Sequence, residues 1–180
     1  WGARGFSFGD WLQPSGPSAK PLPTIGDDAA ATIYLYITSE LVSRIADITG
    51  DTATAQRLAD MAAKVKAAFQ QEFITKSGRL AYDDQTSYAR AIDNDLIPAE
   101  HYEAAKTYFK PTIARSEGRI GTGVIGTPAL LPALLKIDEV GLAADVFLQE
   151  EVPGWLYQVK MGATTIWERW DSMLPDGNIN

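Results

Sequence analysis

The sequence contains no cysteine, which removes disulfides, thiolate metal sites and cysteine nucleophiles together. It has one histidine, His101, so a Ser-His-Asp triad elsewhere and a multi-histidine metal centre are both excluded. His101 itself falls at the start of a helix-like stretch, where a capping or surface role is the simpler reading. Basic residues are outnumbered, 16 Lys and Arg against 23 Asp and Glu, and the net charge of -7 comes with no basic cluster. Nucleic-acid binding, which draws on counterion release by Lys and Arg, is therefore not expected. No window approaches 18 uninterrupted apolar residues, so no membrane-spanning helix is expected either. Asp83-Asp84 is a paired acid in a loop, without the ligand spacing of a calcium site. Neither a metal nor a cofactor is expected. Chemistry is left to carboxylates, hydroxyls and aromatic rings.

What remains is a 180-residue chain, 46% hydrophobic and 22% charged, the composition of one globular domain. It starts at Trp1 without Met and stops in a turn-like stretch, Pro175–Asn180. Its five Trp all lie in the first 11 or the last 26 positions. It reads as a piece of a longer protein. After a Gly/Pro-rich stretch from Gly9 to Pro23, the pattern predicts a helix from Asp27 to about Thr49, with Asp27 or Asp28 as cap. Gly50-Asp51 breaks it, and a second helix runs from about Thr52 to Phe73, where Leu58, Ala62, Phe69 and Phe73 fall on one stripe. A third is predicted over Gln85–Asp95 and a fourth over Pro98–Lys110, with Pro98 in its first turn. The fifth, Thr127–Ile137, is apolar almost all round and predicts an enclosed inner helix, although Pro132 interrupts it. Asp138 opens a sixth through Phe147.

The connections alternate. Short turns join helices one to two, three to four and five to six; long loops follow helices two, four and six. Short turns make antiparallel hairpins, and long loops step between them, which gathers the long loops on one face. The expectation is an all-α fold of about three antiparallel helical hairpins in a toroid or solenoid.

The richest stretch for chemistry is Gly162–Asp171, where Glu168 is flanked by Trp167 and Trp170 and followed by Arg169. Aromatic walls that partly dry a carboxylate disfavour its charged form, while an inward-turned Arg169 opposes this. Glycosidases need such a pairing of carboxylate and flat apolar faces. The competing reading makes Trp167 and Trp170 one buried helix face with Glu168 on the solvated side, and both stay open. Trp155 and Tyr157 alternate as a strand presents side chains, and Asp10-Trp11 sets a further Trp beside an acid. The Gly-rich run Gly118–Gly126 lacks the preceding strand and Lys of a phosphate-binding loop; close approach to a substrate or helix explains its glycines better.

Phe8-Gly9-Asp10-Trp11-Leu12, Gln85-Thr86, Gly121–Thr127, Pro153–Tyr157 and above all Thr164-Thr165-Ile166-Trp167-Glu168-Arg169-Trp170-Asp171 follow one another in an order that resembles bacterial α-L-rhamnosidases, glycoside hydrolase family 78. The match lies over the C-terminal half of that family's catalytic domain. The resemblance implies part of an (α/α)6 toroid, an inverting hydrolysis of terminal α-L-rhamnosides, and Glu168 as the general base. It implies a sugar pocket drawn from Asp10, Trp11, Trp155, Tyr157, Trp167 and Trp170. The family's general acid lies upstream of the Gly-Asp-Trp stretch, and a family His follows the Asp176–Asn180 turn; neither motif is in these residues. The implied partners are a rhamnose-containing glycoside and either the N-terminal half of the domain or a second copy. Two other readings remain: another (α/α)6 glycosidase of glucoamylase or trehalase type, and a non-catalytic carbohydrate-binding helical domain.

Overall fold

The computed structural model describes residues 9–14 and 22–180. Phe8 and residues 15–21 of the Gly/Pro-rich loop lie outside them. Among the described residues the architecture is helical, with two isolated β-bridges, Ile74 with Leu80 and Met173 with Ile179.

The first hairpin pairs α1 (Asp27–Ile48) with α2 (Thr52–Phe73). Asp27 and Asp28 stand in the first turn, where the helix dipole favours negative charge. The N-cap position is Gly26 rather than either acid. A Cβ there would fall 2.1 Å from the Tyr82 ring, whose hydroxyl donates to Asp28 Oδ1 at 2.9 Å. Gly50, at φ 83, reverses the chain, and Asp51 caps α2 by accepting the Thr54 N–H at 3.0 Å. The small residues Ala29, Ala30, Ala46 and Ala62 are buried along this hairpin together with Ile33, Phe69 and Phe73.

The second hairpin joins α3 (Gln85–Asp93) through a 3-10 turn, Ala99–His101, to α4 (Tyr102–Arg115). Helix α3 is the innermost element: Thr86, Tyr88, Ala89, Ala91 and Ile92 have no exposed surface. His101 sits in the 3-10 turn. Helix α4 runs past Lys110 and through Pro111 before it ends, five residues beyond the expected stop. The third hairpin is α5 (Thr127–Lys136) with α6 (Val140–Phe147). Asp138 does not open α6. At φ 63 it is the left-handed turn residue, so the helix starts two positions later.

Helix α5 is not enclosed on all sides. Ala129, Leu130, Ala133 and Leu134 are buried against the core, Leu131 is half-buried, and Leu135 is 52% exposed with Pro132 also at the surface. Among the described residues an exposed apolar stripe lies instead on α1, through Leu41, Ile45 and Ile48. These positions recur at helical spacing on one face.

A short helix follows, α7 (Trp155–Lys160), where the alternating aromatics predicted an extended piece. Among the described residues no strand lies beside it to pair with, and a helical turn satisfies its own backbone groups. Residues 161–180 are irregular. Trp167 and Trp170 therefore do not form one face of a helix.

The two ends of the hairpins differ. At the short-turn end, Lys136 pairs with Asp95 at 2.7 Å and Gln70 donates to Leu96 O at 3.0 Å. At the other end the loops bind one another: Gln13 donates to Gly121 O at 3.0 Å, Arg119 to Val152 O at 2.9 Å, and Trp170 to Thr122 O at 3.3 Å. The long loops collect on the face that the alternation of connections predicts.

Candidate active site

The loop Gly121–Gly126 is the hub of this face. It wraps around the carboxylate of Asp10. Oδ2 accepts the Gly123 N–H at 2.7 Å and the Thr86 hydroxyl; Oδ1 accepts the Ile125 and Gly126 N–H groups at 3.0 and 3.1 Å. The glycine-rich run thus cradles an anion, and that anion is the chain's own side chain. Close approach explains two of its glycines: a Cβ at Gly123 would fall 2.3 Å from Trp11 O, and one at Gly126 would fall 2.1 Å from Thr86 Oγ1. Gln85, at the start of α3, fixes the loop's first residue by accepting the Gly121 N–H at 2.7 Å.

Asp10 is 6% exposed, and both its oxygens are engaged. It faces the loop rather than open solvent, which leaves it poorly placed to meet a sugar hydroxyl. The next residue continues the tie, because Val124 N–H donates to Trp11 O at 2.8 Å.

Between these segments and the 166–170 loop lies an open cleft of about 470 Å3. Leu12, Val124, Thr127 and Pro128 line it together with Trp155, Ile166, Trp167, Glu168 and Trp170. Trp155 and Trp170 meet edge to face at 5.4 Å and 83°, the arrangement that ring quadrupoles favour. Trp170 is buried, Trp155 and Trp167 are half-buried, and Glu168 is exposed. Glu168 makes no hydrogen bond or ion pair among the described residues. Arg169 does not turn toward it but pairs with Asp171, Nε to Oδ1 at 3.2 Å.

Four of the seven candidate residues thus line one cleft: Glu168, Trp155, Trp167 and Trp170. Trp11 is 45% exposed beside it, while its neighbour Leu12 lines it. Tyr157 is buried, and its hydroxyl donates to Met173 O at 2.7 Å, so it holds the 172–180 turn rather than the wall. The apolar liners Leu12, Val124, Pro128 and Ile166 carry no chemical signal in the sequence beyond standing next to the motifs.

Beneath the loop, Asp84 caps α3 by accepting both the Ser87 N–H at 3.0 Å and the Ser87 hydroxyl at 2.5 Å. Burial pushes its pKa up to about 7; the Ser87 bonds oppose this and the Asp10 charge adds to it. Its neighbour Asp83 goes the other way. Burial raises it, but the Arg79 bond at 2.7 Å and the Arg115 charge outweigh that and hold it below the ordinary carboxylate value.

Comparison with known proteins agrees with this architecture. The model of the bacterial alpha-L-rhamnosidase six-hairpin glycosidase domain matches residues 1–180. An alpha-L-rhamnosidase of Streptomyces avermitilis is 32% identical over 172 residues, covering 96% of this chain and 16% of the relative. One from Formosa agariphila is 33% identical over 171 residues, covering 92% and 18%. Among solved structures, the native alpha-L-rhamnosidase of Aspergillus terreus superposes with a TM-score of 0.89 at 35% identity, over 100% of this chain and 21% of that one. The Streptomyces avermitilis enzyme complexed with L-rhamnose gives 0.82 at 31% identity, over 96% and 16%. The chain spans about a fifth or less of each of these proteins. It belongs to the bacterial alpha-L-rhamnosidase six-hairpin glycosidase family.

Proposed function

We propose that this chain supplies part of the catalytic domain of an α-L-rhamnosidase, its C-terminal half, and that Glu168 is the general base of an inverting hydrolysis. The observation that carries the reading is the exposed, unengaged Glu168 carboxylate on the wall of a cleft lined by three Trp. Flat indole faces suit the C–H surface and the methyl group of a 6-deoxy sugar, and a free carboxylate beside them is placed to take a proton from water. The names of the relatives support the same chemistry.

The proton for the departing oxygen comes from a second carboxyl group, about 6.5–9.5 Å from the first so that water fits between base and sugar. Asp10, Asp84 and Asp171 are poorly placed to supply it: Asp84 is 2% exposed with both oxygens held by Ser87. Asp10 is held by four donors, and Asp171 is paired with Arg169 and accepts from Asn180 at 2.8 Å. The acid belongs to another part of the domain. That part, or a second copy of this chain, covers the apolar stripe on α1.

The test is the stereochemistry of the first product. Proton NMR of the full-length protein acting on p-nitrophenyl α-L-rhamnoside should show β-L-rhamnose first, with the α anomer growing in by mutarotation. Initial release of the α anomer would exclude Glu168 as a base acting on water in a single displacement.

A further inference from the structure

Glu168 stands in an irregular segment, so its placement depends on supports from elsewhere. Two consecutive residues of α7 provide them. Gln158 is 2% exposed, and its Oε1 accepts the Trp167 N–H, the amide just before Glu168, at 3.2 Å. Its backbone carbonyl accepts the Ala163 N–H at 2.9 Å, which closes the turn out of the helix. Tyr157 holds the downstream flank through Met173 O. The segment that carries Glu168 is thus tied to one turn of α7 on both flanks, while Trp170 anchors it separately to Thr122 O.

Gln158 is an expensive way to fill this space. Its Nε2 is buried and has no partner among the described residues. The carboxamide is not free to turn over, because the Trp167 N–H is a donor and needs an oxygen. A methionine would occupy a similar volume without stranding a polar atom, and a buried unmatched N–H destabilises the fold. What a methionine lacks is the acceptor.

The geometry points to Gln158 as a positioning residue for Glu168: by holding the Trp167 amide it fixes where the carboxylate meets the attacking water. This rests on the reading of Glu168 as the base. In the full-length protein, Gln158→Met should lower kcat on p-nitrophenyl α-L-rhamnoside by about 10- to 100-fold, the scale of a small misplacement of a catalytic group. KM should stay within about threefold, since the aromatic wall is untouched. Gln158→Glu keeps an oxygen toward the amide and should recover most of the rate. In the unsubstituted protein, hydrogen exchange should find the Trp167 amide protected, which checks the bond whether or not the variants fold. Unchanged kcat in Gln158→Met would overturn the proposal. So would equal loss in both variants with a lowered Tm, or free exchange of the Trp167 amide. Glu168→Gln assayed alongside separates the two ideas: an inactive Glu168→Gln with a fully active Gln158→Met removes only the positioning role, whereas a fully active Glu168→Gln removes both.

Discussion

The Asp10 carboxylate and the Gly123 amide, 113 positions apart in the chain, meet at 2.7 Å. With Thr86, Ile125 and Gly126 they form a closed set in which every oxygen of the acid faces a donor. This ties α3, the glycine loop and the segment leading to Leu12 into one support beneath the cleft.

Removing that acid strands several donors at once. Asp10→Ala should destabilise the full-length protein by about 3 kcal/mol or more, because bonds to a charged acceptor are worth about 1.5–3 kcal/mol and unsatisfied buried N–H groups add to the loss. Urea unfolding followed by tryptophan fluorescence checks this. A loss of substrate affinity with unchanged stability would instead assign Asp10 to the sugar.

Asp84 makes stability depend on pH. Its folded pKa, about 7, lies above its value in the unfolded chain, so the folded state holds a proton that the unfolded state has lost. The stabilisation is complete below about pH 4, falls as the pH rises, and levels off above about 7. Asp84→Asn keeps an acceptor for the Ser87 N–H and cannot ionise. Its stability relative to the unsubstituted protein should therefore improve between pH 5 and pH 8. Denaturant midpoints of the two proteins at both pH values are the measurement, and a constant difference would show that Asp84 does not titrate there.

The Trp residues should separate into wall and core. Trp167→Ala, at a half-buried wall position, should raise KM by about tenfold, the equivalent of one or two kcal/mol of binding, with a small change in Tm. Trp170→Ala removes a buried ring that touches Trp155 and bonds Thr122 O, and should cost about 3–5 kcal/mol of stability. Kinetics and thermal unfolding of both variants distinguish them.

The helices were largely legible because they follow local rules. The apolar stripe and the Gly50-Asp51 break bound α1 and α2 to within a residue of the observed limits. Local rules mislead where one signal hides another. The alternation of Trp155 and Tyr157 suggested a strand, but backbone self-sufficiency made a helix. The apolar run of α5 suggested full enclosure, but Leu135 faces outward. Glu168, Trp167 and Trp170 were legible as a group because a few residues of sequence hold them together. The engagement of Asp10 and the hold of Gln158 on the Trp167 amide depend on how separate segments meet, and neither residue's spacing announces its partner.

The most direct test of the account is the turnover of Glu168→Gln in the full-length protein on p-nitrophenyl α-L-rhamnoside. The substitution keeps the size of the side chain and removes its basicity. Loss of general base catalysis should lower kcat by about 10²–10⁴-fold, with L-rhamnose still bound at close to its original affinity. A kcat within a few-fold of the unsubstituted protein would contradict the central claim and return Glu168 to the role of an ordinary surface carboxylate.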